Sequence, residues 1–216
     1  MSSVLSLQVG RIEPLGPEGV PSAFVKRTLS GVAIAEALGL RGDEQADLRV
    51  HGGPDKAIYF YPSEHYRQWA NDVPKHAELF VPGGFGENVT TTGMDEHQVA
   101  IGDVLAIGST EMEVTQPRQP CFKLGLRFAD NTLGRIMMRS NRTGWYVRVL
   151  RVGEFQAGDE IRVIRRPSPD WTIARFNAFI VQQSATPQEM KEMSQLEALP
   201  TEWKASILQA LSEQER

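Results

Sequence analysis

Cysteine is nearly absent from this chain. A single residue among 216, Cys121, excludes an internal disulfide framework and leaves too few thiols for a Cys-rich zinc or iron-sulfur site. Long hydrophobic runs are missing too. No stretch approaches the roughly 18 apolar residues that span a bilayer, and Met1 to Gly10 has neither a basic start nor a continuous apolar run, so it does not read as a signal peptide. Nor is positive charge in excess: 23 Lys and Arg stand against 27 Asp and Glu, a net charge of -4, which gives no general pull toward nucleic acid or an anionic membrane. Histidine is sparse; His51, His65, His76 and His97 include no pair at metal-ligand spacing. What remains is ordinary globular composition, 41% hydrophobic and 23% charged, with cytoplasm as the expected compartment. Any anion site must be local.

The length allows one sizeable core with a small appendage. Through residue 165 the chain reads as short strands between Gly and Pro punctuation, which predicts a β-rich α+β domain, a sandwich or a barrel. Expected strands are Val4 to Val9, Ala23 to Leu29, Ala57 to Tyr61, Val104 to Ile107, Met112 to Gln116, Trp145 to Arg151 and Glu160 to Arg165. Gly108, Ser109 and Thr110 suit a hairpin connection between the fourth and fifth of these. Ser63 can cap a helix carrying His65, Tyr66 and Trp69, and Asp130 or Asn131 another through Leu133, Ile136 and Met137. Residues 166–170, with Pro167 and Pro169, form a stiff link to a small all-α region at 171–216. There Ile173, Phe176 and Ile180 share a face, Thr186, Pro187 and Glu189 form a capping box, and Trp203, Ile207, Leu208 and Leu211 form a stripe after Thr201. Three short helices in so few residues need the main domain for stability.

The most informative segment is Thr115 to Lys123. Pro117 and Pro120 oppose both helix and ladder, so Cys121 is expected on an ordered loop just past a strand. Arg118 and Lys123 bring positive charge near the thiol, favouring the thiolate that binds metals or attacks electrophiles. A lone cysteine is more often a small buried hydrophobe, and that reading stays open. His51 to Lys56 contains a Gly-Gly-Pro turn whose N–H groups can face an anion, with Lys56 adding a point charge; most such runs are merely turns. Gly83 to Asn88 is a second Gly-rich loop, in which Glu87 and Asn88 can hydrogen-bond a heterocycle, although a capped turn is commoner. No P-loop, Rossmann fingerprint, nucleophile elbow or zinc-binding helix is present.

Taken in order, Gly42, Asp43, Gln45, Ala46 and Asp47, then His51 to Lys56, then Tyr61, Pro62, Glu64, His65, Tyr66 and Trp69, then Phe85 to Asn88 and Gln116 to Cys121, the sequence resembles the MOSC superfamily, named for the C-terminal domain of molybdenum cofactor sulfurase, in its YiiM-like bacterial subgroup. The resemblance covers nearly the whole chain. It implies a twisted β-barrel with helical insertions and an open pterin pocket, plus a small three-helix C-terminal domain. It also implies molybdenum cofactor with Cys121 as protein ligand to the metal, and reduction of N-hydroxylated compounds such as purines, amidoximes and hydroxylamines. By position, Ser22, Lys26, His51, Gly53, Lys56, Glu87, Asn88 and Arg118 are expected around the cofactor. Lys56 and Arg118 suit its phosphate; Glu87 and Asn88 suit the pterin edge. Distant relatives carry a Lys-Ser pair where this chain has Pro21 before Ser22, which shifts phosphate binding toward Lys26, Arg27 or Arg118.

With no flavin, haem or iron-sulfur signature, and no pyridoxal phosphate expected, a reductase built this way needs electrons from a separate flavoprotein. The alternative is a non-catalytic carrier that holds molybdenum cofactor, or a persulfide on Cys121. A nucleic-acid regulator is disfavoured, because residues 166–216 hold 5 Lys and Arg against 7 Asp and Glu. No nucleic acid or membrane partner is expected, and the sequence leaves the oligomeric state open.

Overall fold

The computed structural model describes residues 1–48, 51–182 and 185–214. In chain order the strands are β1 (Ser3–Val9), β2 (Glu13–Leu15), β3 (Val20–Ser22), β4 (Arg27–Thr28), β5 (Val32–Glu36), β6 (Gly39–Leu40), β7 (Ile58–Pro62), β8 (Val89–Thr92), β9 (Val104–Ile107), β10 (Thr110–Pro117), β11 (Trp145–Arg151), β12 (Gly153–Gln156) and β13 (Arg162–Arg165). Helices α1 (Glu64–Asp72), α2 (Phe122–Phe128) and α3 (Leu133–Ser140) interrupt them, and α4 (Ile173–Gln182), α5 (Pro187–Ser194) and α6 (Thr201–Gln214) follow.

Period-2 alternation sorts the side chains into two layers. On β7, Ile58 and Phe60 enter the large apolar core while Tyr59 and Tyr61 face a second, aromatic cluster with Trp69, Phe80, Phe85, Leu124 and Phe128. The main sheet runs β13-β9-β10-β11-β7-β8-β1-β4, antiparallel except for the β7–β8 pair. It curls far enough that β1 meets the segment before β13: Val4 N–H donates to the Asp159 carbonyl at 2.9 Å, and Ile161 N–H to that of Ser2 at 2.9 Å. The result is a sheet-rich half-barrel with helices on its outside. Sheet β12-β5-β6 and hairpin β2-β3 flank it.

The C-terminal helices share this core. Ile173, Phe176, Met190, Met193, Ile207 and Leu211 lie in the same apolar cluster as Leu105, Val114 and Trp145. Full burial of such a side chain stabilises by about 1.5–3 kcal/mol. Backbone bonds stitch the junction, with Ile101 N–H donating to the Trp171 carbonyl at 2.9 Å and Ile173 N–H to that of Val99 at 2.8 Å. The capping box of α5 is complete: Thr186 Oγ1 accepts from Glu189 N–H, and Glu189 accepts in return from Thr186 N–H.

Several local expectations are corrected. The β9–β10 turn is shorter than expected, Gly108 and Ser109 only, since Thr110 already pairs with Ile107; Gly108 takes the positive φ, 55°, that a tight hairpin turn requires. The strand expected at Ala23 to Leu29 reduces to Arg27–Thr28. Ser63 precedes α1 but its side chain caps nothing. Thr132, not Asp130 or Asn131, is the cap residue of α3, and Asp130 Oδ1 accepts the Thr132 N–H at 2.9 Å one turn earlier. Pro117 did not end the ladder: it lies opposite Trp145 in β10–β11, past a register shift between Val114 and Gln116. Strands β2, β3, β5, β6, β8 and β12 and helix α2 were not anticipated.

Candidate active site

Cys121 sits at the first-turn boundary of α2, with extended φ/ψ of -108° and 172°. That helix forms because Leu124 and Phe128 share a face and enter the aromatic cluster, which fixes where the cysteine stands. The loop back to β10 is only Arg118 to Pro120. Burial pushes the thiol up, but a hydrogen bond from His51, the Arg118 guanidinium and the backbone N–H of Lys123 outweigh it and leave the pKa lowered to about 7. A substantial thiolate fraction at neutral pH follows.

The thiol opens onto a cavity of about 100 Å³ lined by Ser22, Lys26, Asp43, His51, Lys56, Asn88, Arg118 and Lys123, with Tyr59 and Tyr146 as its aromatic wall. Arg118 is 4% exposed yet makes no ion pair with any described residue. It is held instead by Met137 Sδ, which accepts from Nη1 at 3.0 Å, and by the rings of Tyr59 and Phe24, whose centroids lie 5.4 Å and 5.8 Å from its Cζ. Burying a guanidinium without a carboxylate partner is costly, and here the charge lies beside the Cys121 sulfur, whose thiolate it stabilises. Lys123, 8% exposed, likewise has no ion pair with a described residue. Lys26 differs: its ammonium pairs with Asp43 at 2.5 Å with both side chains buried, and Asp43 also accepts the Gly10 N–H at 2.6 Å.

The structure thus brings Ser22, Lys26, His51, Lys56, Asn88, Arg118 and Cys121 to one cavity and leaves two expected residues outside it. Gly53 caps the short turn Pro54–Lys56 and does not line the cavity. Glu87 is fully buried behind it; its carboxylate accepts from Gly83 N–H at 2.6 Å, Phe85 N–H at 3.0 Å and the Tyr66 hydroxyl, and burial pushes its pKa up. Asn88 lines the cavity, but its Oδ1 accepts the Tyr59 N–H at 3.2 Å and its Nδ2 donates to the Gln8 carbonyl at 3.3 Å. Arg27 lies away from the cavity, paired with Glu13 on the surface. Sequence reasoning missed Asp43 as the partner of Lys26 and Tyr59 and Tyr146 as the wall beside Arg118. The signal for Tyr59 was its alternation with Ile58 and Phe60.

The loop of His51 and Lys56 is held from behind. Arg148 donates to Asp55 Oδ1 from Nε at 2.8 Å and Nη2 at 2.5 Å, and to Glu113 from Nη1 at 2.7 Å, while Thr115 Oγ1 donates to the Asp55 carbonyl at 2.7 Å. Among the described residues no group of His, Cys, Asp and Glu could hold a bare metal ion, and no helix is long and apolar enough to cross a membrane.

A curled sheet carrying an activated thiol in a cation-lined cavity, followed by three helices, corresponds to two family models: the MOSC domain over residues 47–162 and the YiiM-like, 3-alpha helix domain over residues 171–214. The chain belongs to the MOSC domain family, whose domains are associated with molybdenum cofactor binding. It is 40% identical over 164 residues to Protein YiiM of Escherichia coli, covering 76% of this chain and 73% of that protein. It is 35% identical over 196 residues to a protein named Reductase from Gibberella moniliformis, covering 89% of this chain but only 35% of that much longer relative. The crystal structure of YiiM from Geobacillus stearothermophilus superposes with a TM-score of 0.82 at 26% identity, covering 98% of this chain and all of that one.

Proposed function

We propose that this chain binds molybdenum cofactor with Cys121 as the protein ligand and reduces N-hydroxylated compounds, drawing electrons from a separate flavoprotein. The observation that carries the reading is the buried Arg118 guanidinium, without an ion-pair partner among the described residues, beside a thiol lowered to about 7 in the same cavity. The donor set fits such a group. A metal at Cys121 must bring most of its own ligands, because no cluster among the described residues supplies them, and Arg118, Lys123 and Lys56 suit the negative charge of a phosphorylated pterin dithiolene. When bound, the cofactor supplies a metal that cycles between oxidation states and accepts oxygen.

The chain's own residues do the rest. His51, Arg118 and the Lys123 N–H keep Cys121 as thiolate, Tyr59 and Tyr146 exclude water beside Arg118, and Arg148 holds the His51 to Lys56 loop in place through Asp55. The reaction consumes two electrons and two protons, converting R–NHOH to R–NH2 and water. The relative named Reductase supports a reductive activity, without indicating its substrate. A carrier needs only one cavity at Cys121, whereas a second adjoins it there.

To test the reading, protein made in a cofactor-competent host is supplied with reduced methyl viologen and benzamidoxime. Benzamidine should form with the wild type and not with Cys121→Ser. Full turnover by Cys121→Ser with its metal retained would remove Cys121 from the metal site, and the absence of turnover by metal-loaded wild type would favour the carrier.

A further inference from the structure

Cys121 lies between two cavities. The first is the cation-lined one; the second, of about 640 Å³ and open to solvent, is closed on one side by helix α6. The two share His51, Lys56, Gln119, Cys121 and Tyr146, so the second adjoins the first at Cys121. Their chemistry differs. Around the second cavity stand Trp203, Phe122 and Pro120, with Glu202 and Ser206 at its rim.

Trp203 is fixed in two ways. Its Nε1–H donates to Gln116 Oε1 at 3.1 Å, and its ring meets Phe176 edge-on with centroids 5.2 Å apart. Gln116 belongs to β10 and Phe176 to α4, so the indole is clamped between the half-barrel and the helices, half-buried, with part of its surface left to the cavity. Phe122, next to Cys121 in the chain, is 64% exposed, so its ring is free to meet a ligand in this cavity. Glu202 makes no ion pair with any described residue and places a negative charge beside Trp203, while Lys56 is the cation this cavity shares with the first.

We propose that α6 forms the substrate wall of this protein: Trp203 and Phe122 grip a planar aromatic or heteroaromatic substrate beside Cys121, and Glu202 selects against anionic ones. The proposal rests on the reading that Cys121 marks the reaction centre. A rigid aromatic wall favours flat ligands because ring contacts add to the burial of area, and it costs little entropy because the indole is already immobilised. Division of labour follows: the half-barrel holds the cofactor's charge, and the C-terminal helices choose the substrate.

The test compares two probes with the same N-hydroxyl group, benzamidoxime with its ring and acetamidoxime without one. Replacing the indole by Trp203→Leu should lower the ratio of kcat/KM for benzamidoxime over acetamidoxime by roughly 3- to 10-fold, chiefly through KM. Trp203→Phe, which keeps a ring and loses only the bond to Gln116, should restore most of that ratio. Glu202 is exposed, so Glu202→Lys carries no folding hazard, and it should raise kcat/KM for 4-carboxybenzamidoxime several-fold relative to benzamidoxime.

A second readout needs no turnover. Benzamidoxime should slow iodoacetamide alkylation of Cys121 in wild type made without cofactor, and protect less in Trp203→Leu. Unchanged ratios in both the Trp203→Leu and Glu202→Lys variants, with turnover intact, would overturn the wall while leaving the functional reading standing. If wild type turns over neither amidoxime yet benzamidoxime still protects Cys121 in a Trp203-dependent way, the wall stands and the reductase reading fails.

Discussion

The loop at 83–88 commits its polar groups to the fold, whereas the segment 118–123 turns its charges toward open space. Glu87 collects two backbone N–H groups and the Tyr66 hydroxyl behind the cavity wall, with no surface exposed. Arg118 is nearly as buried, yet it sits among two rings and a thioether, and the anion it faces is the Cys121 thiolate rather than a carboxylate. Both are buried charges beside one cavity. The first is satisfied by the fold; the second, without a carboxylate partner among the described residues, lines the cavity. Partner supply, more than burial, separates a structural charge from a functional one.

The largest effect should come from breaking the satisfied member. Glu87→Ala leaves the Gly83 and Phe85 N–H groups and the Tyr66 hydroxyl without their acceptor in a buried site, which should cost about 3–5 kcal/mol of stability. Removing the unsatisfied member should do the reverse: Arg118→Met, near in volume and set among Phe24, Tyr59 and Met137, should leave stability unchanged or higher while anion affinity falls. Denaturant midpoints of the two variants and wild type check both signs at once. Equal destabilisation by the two substitutions would erase the distinction.

A smaller effect concerns pH. The folded thiol of Cys121 is lowered to about 7 from an ordinary 9.0. Between these values the unfolded chain binds more protons, so the stability contributed by this group rises as pH passes from about 7 to about 9 and is lost as pH falls through about 7. In cofactor-free protein, the stability difference between wild type and Cys121→Ser should therefore grow across that window, and the alkylation rate of Cys121 should rise with a midpoint near 7. A midpoint near the ordinary thiol value would show that His51 and Arg118 do not act on the sulfur.

Much of the half-barrel was legible because alternation is a local signal. Val104–Ile107 and Trp145–Arg151 match the expected strands residue for residue, and the capping box at Thr186 was readable from spacing alone. Val89–Thr92 was not, because a Val-Thr-Thr-Thr run shows no alternation and owes its place to pairing with β1 and with β7 in parallel. Helix α2 was hidden by Pro117 and Pro120, which lie before it and act only on their own backbone. In the site, Cys121, His51, Lys56 and Arg118 converge as expected. The direction in which Glu87 points could not be read, since a Gly-rich loop carries the same residues whether its carboxylate faces inward or outward. Nor could Trp203 be placed beside Cys121, because their meeting depends on how α6 packs across residues far apart in the chain.

The most direct measurement is the molybdenum and pterin content of protein purified from a cofactor-competent host, determined side by side for wild type, Cys121→Ser, Arg118→Met and Glu202→Lys. Wild type and Glu202→Lys should carry both in stoichiometric amount. Cys121→Ser should lose metal, and Arg118→Met should lose metal and pterin together on dilution, its affinity lowered by roughly tenfold or more through loss of a charge-assisted contact. Metal and pterin retained by Arg118→Met over the whole dilution series, or absent from wild type, would contradict a cofactor held by Cys121 in the cation-lined cavity.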